Sequence, residues 1–268
     1  MDLNQKLTEE LGVKRWQVDA AVNLIDEGNT IPFISRYRKE ATGSLNDEQL
    51  RKLHERLLYL RNLEEKKEQV LSSIEEQGKL TEELKAQILA AETLVVVEDL
   101  YRPYRPKRRT RATIAKEKGL EPLSVLIMLQ QTKEPLEVEA EKYISKEKEV
   151  KSAKEALSGA MDIIAESISD EADYRSWIRK QTMQKGKIIS AAKDAEAESG
   201  HRILALNRGE KEKFLTVKIE APEEDILRYL EKQVIRRDNP YTTPVLKEVV
   251  EDSYKRLIAP AIEREIRN

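Results

Sequence analysis

The sequence predicts a mainly α-helical protein with an elongated multi-helix arrangement and at most one or two short strands. Two observations lead to this fold class. Of the 268 residues, 37% are charged and 39% are hydrophobic, a balance that suits solvent-bathed helices better than a thick globular core. In addition, apolar residues recur at intervals of three and four along much of the chain, which is the period of an amphipathic helix.

The first predicted domain, residues 1–45, begins with a helix-turn-helix-like hairpin. A helix over residues 3–11 is ended by Gly12, and a second helix runs to Gly28. The exposed face of the second helix carries the acids Asp19, Asp26 and Glu27. This charge favours a structural hairpin over a helix that reads DNA. Trp16 is interpreted as a packing anchor, because an indole buries a large area.

The second predicted domain, residues 46–200, contains a long central helix. Asn46 and Gln49 match a capping box, and Gly78 ends the helix after about Glu76. About thirty helical residues span about 45 Å, the length of a strut. Its apolar stripe comprises Leu50, Leu53, Leu57, Leu60 and Leu63.

Further helices are predicted over most of this second domain. They start near Thr81, Pro122, Leu136, Lys146 and Asp170. Residues 124–131 are apolar enough to be buried. Residues 94–97 form the most strand-like run of this region, although tertiary packing is able to override such a local preference.

The third predicted domain, residues 201–268, is a helical segment with one strand candidate. Residues 215–219 alternate between apolar and polar side chains. Helices are predicted to begin near residues 223 and 243. Pro260 should kink or break the last helix, because proline lacks a backbone N–H and clashes with the preceding turn.

Positive charge is concentrated in the stretch YRPYRPKRRTRATIAKEKGL, residues 101–120. It holds eight basic residues against one acid, while the whole chain has a net charge of -2. Its two prolines disfavour helix at the residues before them, so the stretch is predicted to be a stiff, extended ribbon. Cations interleaved with tyrosines are typical of surfaces that bind phosphates and stack bases. The candidate nucleic-acid-binding residues are Tyr101, Arg102, Tyr104, Arg105, Lys107, Arg108, Arg109 and Arg111.

Internal bracing is a second interpretation of the same stretch. Arginine forks also bridge acidic helices within one protein, and this chain has many acids. Charge shows where cations are but does not identify their partner, so both interpretations stay open at this level.

A smaller basic-aromatic cluster occurs in the run PFISRYRKE. Its cations Arg36, Arg38 and Lys39 surround Tyr37. Phosphate contact is one interpretation. The favoured interpretation places the apolar residues of the run in the core and the three cations in water.

Signatures of enzymes are missing from the sequence. It has no phosphate-binding glycine loop, no HExxH motif and no nucleophile elbow, and its two histidines are His54 and His201. Asp162 and Glu166 share one helix face, but no His or third acid accompanies them, which favours a solvated or arginine-paired face over a metal site. We therefore expect a non-catalytic protein without metal or cofactor.

The composition also indicates a compartment. The sequence has no cysteine, and a signal peptide or an apolar run long enough to span a membrane is not recognisable in it. These features predict a cytoplasmic protein without disulfides.

Five separated blocks of the sequence carry a family resemblance. They are TIPFISRYRKEATGSLNDEQLR from Thr30, EDLYRPYRPKRRTRATIA followed by KGLEPL, GAMDIIAESISD from Gly159, HRILALNRGE from His201 and NPYTTPVLKEVVEDSYKRLIAPAIE from Asn239. In this order the blocks closely resemble the bacterial Tex transcription accessory proteins, and together they cover nearly the full length. One departure lies at the junction of Gly200 and His201, where the family has an aromatic, acidic segment.

The resemblance implies that the chain is the helical N-terminal region of a longer protein. An RNase H-like domain, helix-hairpin-helix elements and an OB-type RNA-binding domain are then expected outside it, and the family's nucleic-acid binding is usually ascribed to the OB-type domain. The implied function is a non-catalytic scaffold that contributes an auxiliary RNA- or DNA-binding surface, with the transcription machinery as a further partner. The alternative is a protein-interaction or packing scaffold that does not itself bind nucleic acid.

Overall fold

The structure is a computed structural model that describes residues 2–106, 108–192, 208–212 and 215–267. These residues are mainly α-helical, as predicted, and the chain divides into two compact units, Met1–Tyr101 and Arg102–Asn268. We call them unit 1 and unit 2. The three-part domain division stays a prediction. Among the helices of the described ranges, none combines the length and the apolar character that crossing a bilayer requires.

Unit 1 consists of helices α1 to α6. Their bounds are α1 Leu3–Leu11, α2 Arg15–Asp26, α3 Ile31–Tyr37, α4 Asp47–Glu76, α5 Glu82–Ala90 and α6 Leu94–Tyr101. The side chain of Asp2 accepts a hydrogen bond from the backbone N–H of Gln5 and starts α1, while Gly12 closes it in the left-handed conformation. Helices α1 and α2 contact each other and α4, so the predicted pair of short helices is present.

The long helix α4 organises unit 1, and its bounds agree with the prediction. Asn46 Oδ1 accepts a hydrogen bond from the N–H of Gln49 at 2.8 Å, and Gln49 Oε1 accepts one from the N–H of Asn46 at 3.0 Å. This reciprocal capping box satisfies two donors at the helix start. The buried face of α4 comprises Leu50, Leu53, Leu57, Leu60, Leu63, Lys67, Val70 and Ile74, against which the other helices of unit 1 pack.

Removing this cap should weaken unit 1 measurably. We expect Asn46→Ala to lower the free energy of unfolding by about 1 kcal/mol, because the backbone N–H of Gln49 loses its acceptor. Urea unfolding followed by circular dichroism measures the change. Gln49→Ala removes the other half of the box and serves as a comparison; an unchanged urea midpoint in Asn46→Ala would contradict the prediction.

Helix α6 corrects the strand-like interpretation of residues 94–97. The run is helical, with the Thr93 hydroxyl oxygen accepting a hydrogen bond from the N–H of Val96 at 3.4 Å. Val97 is fully buried, and the hydroxyl of Tyr59 on α4 accepts a hydrogen bond from the N–H of Leu94. Packing against α4 and α5 therefore overrides the β-propensity of the valines.

In the described residues of unit 2 we label eight α-helices, a π-helical segment and a two-stranded sheet. Their bounds are α7 Arg111–Glu117, α8 Glu121–Leu129, α9 Leu136–Glu141, α10 Ala153–Asp170, α11 Ala172–Lys185, β1 Lys187–Ala192, β2 Leu215–Glu220, α12 Glu223–Val234, α13 Thr242–Asp252, the π-helix Ser253–Ile258 and α14 Ala259–Arg267. Helix α10 lies at the centre, in contact with α7, α8, α9, α11, α13 and the π-helix. Its apolar residues are buried on several sides, as expected of a central helix.

The helix predicted to start near Lys146 begins later. Residues 145–150 form a tight turn in which Ser145 and Val150 exchange two backbone hydrogen bonds of 3.0 and 2.9 Å. Helix α10 then starts behind Ser152, whose hydroxyl accepts a hydrogen bond from the N–H of Glu155 at 3.2 Å. The Ser-x-x-Glu pattern of a helix start was the signal in the sequence.

The sheet is formed by the predicted strand β2 and by β1, which the sequence analysis missed. The two strands are antiparallel, with Lys187 opposite Glu220 and Ser190 opposite Val217. Because β1 begins two residues after the end of α11, its local sequence does not separate it from the end of that helix. Its strand character comes from pairing with a segment far along the chain.

The disturbance predicted at Pro260 is present as a π-helix. Residues Ser253–Ile258 form the wider π turn, and α14 resumes at Ala259. A proline offers no N–H to the carbonyl four residues earlier, and a π turn is a common way to accommodate this irregularity.

Candidate nucleic-acid interface

Residues 102–111 of unit 2 contain most of the predicted basic residues, and we call them the basic segment. The prediction of an extended, non-helical ribbon over 101–120 is correct only in part. Residues 102–104 form a turn, and α7 starts at Arg111, because the side chain of Thr110 caps it by accepting a hydrogen bond from the N–H of Thr113. The prolines restrict only the residues before them, so nothing prevents a helix after Thr110.

The start of the basic segment is fixed to α10. Arg102 Nε lies 3.4 Å from Asp170 Oδ1, and the Asp170 side chain is only 13% exposed. Beyond the segment, Lys118 Nζ contacts Glu155 Oε1 at 2.7 Å and donates to the carbonyl of Glu149 at 3.0 Å. These contacts agree with internal bracing at both ends of the predicted ribbon.

The middle of the basic segment is open to solvent. Arg105, Arg108, Arg109 and Arg111 all have exposed side chains. Arg109 forms an ion pair of 3.0 Å with Glu117, but both side chains are more than half exposed, so the pair contributes little to stability. Arg108 has no hydrogen bond or ion pair with the described part of the chain. Lys107 lies outside the described residues.

The two tyrosines of the predicted ribbon differ in their surroundings. Tyr101 belongs to unit 1, where its hydroxyl lies 3.0 Å from the hydroxyl of Ser73 and Lys66 Nζ lies 5.9 Å from its ring centroid. Tyr104 is half-buried in unit 2. The structure therefore already provides Tyr101 with a polar partner and a cation.

The second cluster lies at the end of α3 in unit 1. Arg36, Arg38 and Lys39 are exposed, as the sequence favoured, but of the apolar residues Ile34 is fully buried while Ile31 and Phe33 are only half-buried. The guanidinium carbon of Arg38 lies 5.3 Å from the ring centroid of Phe33. The side chains of Arg36 and Lys39 have no hydrogen bond or ion pair with the residues that the structure describes.

The carboxylates on α10 belong to an ion-pair network. Asp162 accepts a hydrogen bond of 3.1 Å from Arg256, which also pairs with Asp252 at 2.6 Å. Burial raises the pKa of Asp162, although the positive charges of Arg256 and Arg111 oppose this shift. The arginine-paired interpretation is correct, with Arg256 as the partner in direct contact. Within the described ranges, no group of three or more His, Asp or Glu side chains is arranged to hold a metal ion.

An apolar groove beside the basic segment was not predicted. Ile127 of α8 is buried, but Val125, Met128 and Leu129 are 53%, 40% and 59% exposed. These three residues line a cavity of about 510 Å³ that extends to Pro103. The expectation that residues 124–131 are buried is therefore wrong for the outer face of α8. Apolarity all around a short helix was ambiguous in the sequence, because it is compatible with either burial or a docking face.

Sequence comparison identifies two regions of the chain. Residues 1–75 match the model of the Tex-like protein N-terminal domain, and residues 130–268 match the model described as Tex central region-like. The second match alone covers more than half of the chain. The cluster of Arg36, Arg38 and Lys39 lies within the first match, and the basic segment lies between the two matches.

Individual relatives agree with these matches. The chain is 47% identical over 284 residues to the protein YdcI of Bacillus subtilis, 41% identical over 243 residues to the transcriptional accessory protein Tex of Neisseria gonorrhoeae, and 28% identical over 298 residues to the human S1 RNA-binding domain-containing protein 1. The alignments cover 99%, 84% and 99% of this chain but only 40%, 32% and 30% of the relatives. The chain thus spans two fifths or less of the length of these relatives, and by both matches it belongs to the Tex-like protein family.

Proposed function

We propose that this chain is a non-catalytic helical scaffold of a transcription accessory protein and that its basic segment is an auxiliary nucleic-acid-binding surface. The names of two relatives support the context, since one is a transcriptional accessory protein and another contains an S1 RNA-binding domain. The absence of recognisable catalytic motifs from the sequence supports a scaffold rather than an enzyme.

One observation carries the proposal: the basic segment is fixed at both ends while its middle is exposed. Arg102 holds one end to Asp170, and α7 begins at the other end. Between them, Arg108 has no hydrogen bond or ion pair with the described part of the chain, and the ion pair of Arg109 with Glu117 is solvent-exposed and therefore weak. A loop that is held in place loses less conformational entropy on binding than a free one. Guanidinium groups are suited to phosphate oxygens because they donate in pairs.

The test is a titration of fluorescently labelled single-stranded RNA with the chain at several salt concentrations. If four to six phosphates are neutralised, the slope of log K against log salt should be about -3 to -4. Changing Arg105, Arg108, Arg109 and Arg111 together to alanine should make this slope shallower by about 3 and leave the melting temperature nearly unchanged.

The matched control removes the same charge elsewhere on unit 2, by alanine substitution of the exposed Lys142, Lys185, Lys232 and Lys255. This variant should bind nearly as tightly as the original chain. Equal losses in both four-site variants would indicate a general charge effect and contradict a defined surface. A salt-independent affinity would exclude the electrostatic mechanism, and a strongly lowered melting temperature of the arginine variant would favour bracing.

A protein-interaction scaffold is the second candidate, and the apolar groove favours it. Val125, Met128 and Leu129 follow the i, i+3, i+4 spacing that contacts a partner helix. The acids Glu121 and Glu171 line the same groove, so the occupant that it fits is an amphipathic helix with lysines or arginines beside its apolar stripe. Binding of such a helix should respond to salt less than binding to phosphates, because its apolar contacts are not screened and only its contacts with the acids are.

A further inference from the structure

Trp16 packs against the backbone at Gly43 although half of its surface is exposed. It is the second residue of α2, and its side chain is 50% exposed. A Cβ atom at Gly43 would lie 2.5 Å from Trp16 Cη2 and 2.6 Å from Gln17 Nε2, and Gly43 has a φ of +62°. Glycine is therefore required at position 43, because it allows the backbone to approach the indole. The interpretation of Trp16 as a packing anchor explains only the half of the ring that faces Gly43.

Hydrogen bonds connect Gln17, the neighbour of Trp16, to the backbone of the loop that follows α3. Gln17 Nε2 donates to the carbonyls of Thr42 and Gly43 at 3.2 and 3.1 Å. Thr42 in turn donates through its N–H and its hydroxyl to the carbonyl of Arg38, both at 3.1 Å. The loop under Trp16 is thus fixed to the residue that carries one of the three exposed cations. Trp16 thus packs on the loop that directly follows the second basic cluster in the chain.

Tyr37, the last residue of α3 before this loop, provides a second exposed ring. Its side chain is 67% exposed, and its ring centroid lies 5.3 Å from that of Phe33. The guanidinium of Arg38 lies over the same Phe33 ring, 5.3 Å from its centroid. Tyr37 therefore contacts Phe33 and exposes most of its remaining surface to solvent. Of residues 36–44, Glu40 is the one acid against three cations. Exposed rings interleaved with cations are the composition of surfaces that bind single strands.

We propose that Trp16 and Tyr37 are base-stacking positions of a single-stranded nucleic-acid site on unit 1, with Arg36 and Lys39 contacting the phosphates. The proposal shares with the function proposed above the premise that the chain binds nucleic acid, but it concerns a surface separate from the basic segment. A single strand is required because duplex bases are already stacked on one another and offer no free face. Since every base has a π face, such a site is tolerant of sequence.

Trp16 itself provides a local readout of this site. The sequence has two tryptophans, Trp16 and Trp177. Trp177 stacks on Tyr229 at 3.8 Å, a contact that a phenylalanine is able to keep. In the Trp177→Phe chain, a strand of twelve uridines should quench the remaining tryptophan fluorescence, because a stacked base contacts the indole. Inorganic polyphosphate, which carries charge without bases, should not. No quenching by the uridine strand, or equal quenching by polyphosphate, would overturn the proposal.

Affinity measurements separate stacking from phosphate contact. Trp16→Ala and Tyr37→Ala should each weaken binding of the uridine strand about tenfold without changing the salt slope. Arg36→Ala with Lys39→Ala should make the slope shallower by about 1.4. Leu89→Ala, which removes another side chain of unit 1 that is 52% exposed, is the matched control and should leave affinity unchanged.

The outcomes distinguish this site from the basic segment. Unchanged affinity in both aromatic variants, together with a loss in the four-arginine variant, would overturn the stacking site and keep the function proposed for the basic segment. The reverse pattern would support the stacking site and contradict that function. If the original chain does not bind the uridine strand at low salt, both proposals fail.

Discussion

Replacing Glu265 with alanine should destabilise unit 2 by about 3 kcal/mol, because the substitution removes the carboxylate that faces a buried guanidinium. Arg175 on α11 is fully buried, and its Nη2 lies 2.6 Å from Glu265 Oε1 on α14. Arg179 contacts the other oxygen, Oε2, at 2.8 Å. Without Glu265, two cations would face each other at the contact between α11 and α14. For a chain of this size, the loss corresponds to a fall in melting temperature of about 6 to 12 °C.

Three comparison variants make this prediction specific. Glu265→Gln keeps an acceptor but removes the charge, so its effect should lie between those of the original chain and Glu265→Ala. Glu48→Ala breaks an ion pair with Lys52 in which Glu48 is 75% and Lys52 is 63% exposed. It should change stability by less than about 1 kcal/mol. The double variant Arg175→Met, Glu265→Leu should be more stable than Glu265→Ala, since the fully buried charge of Arg175 is removed together with its partner. A melting temperature of Glu265→Ala within 2 °C of the original, by the ~2–4 °C per kcal/mol relation, would contradict the prediction.

The importance of this ion pair is not visible in the sequence. Arg175 and Glu265 are 90 positions apart, and each lies in a helix with many other charges. The same holds for Arg256, whose partner Asp162 lies 94 positions away. Charge patterns predict contacts within one helix, at spacings of three and four. Contacts between helices depend on which faces meet, and that is decided by packing of the whole unit.

The features that the sequence predicted well are those determined by neighbouring residues. The bounds of α4 follow from the capping box of Asn46 and Gln49 at one end and from Gly78 at the other. The interruption before Pro260 follows from the chemistry of proline itself. The state of residues 94–97 stayed open and strand β1 was missed, because both depend on distant partners: α4 in the first case and β2 in the second.

The same distinction applies to the candidate sites. Counting charges located both basic clusters, because composition is a local property. It did not reveal that Asp170 holds Arg102, or that Gly43 lies under Trp16, since both contacts join separate parts of the chain. One signal for Trp16 was present, namely Gly43, three residues after the end of the RYRKE run. Its meaning requires knowledge of which side chain approaches that glycine.

Two neighbouring leucines of α4 should respond to the same substitution by very different amounts. Leu57 is 1% exposed and belongs to the buried stripe, whereas Leu58 is 48% exposed on the other face of the helix. Leu57→Ala should lower the free energy of unfolding by about 2 to 5 kcal/mol, because it removes buried apolar area and leaves a cavity among helices that pack on α4. Leu58→Ala should change it by less than about 1 kcal/mol, since its side chain already contacts water and alanine favours the helix.

This pair is a sharp test because the two variants have the same composition and change helix propensity equally. The measurement is urea unfolding followed by circular dichroism at 222 nm, a wavelength at which α-helices give a strong signal. The midpoint and the slope of the transition are recorded for each variant. A lower midpoint with an unchanged slope in Leu57→Ala would mean that stability alone has changed. Similar midpoints for the two variants would mean that the stripe of α4 is not the core of unit 1. That result would contradict the arrangement in which α4 organises the other helices.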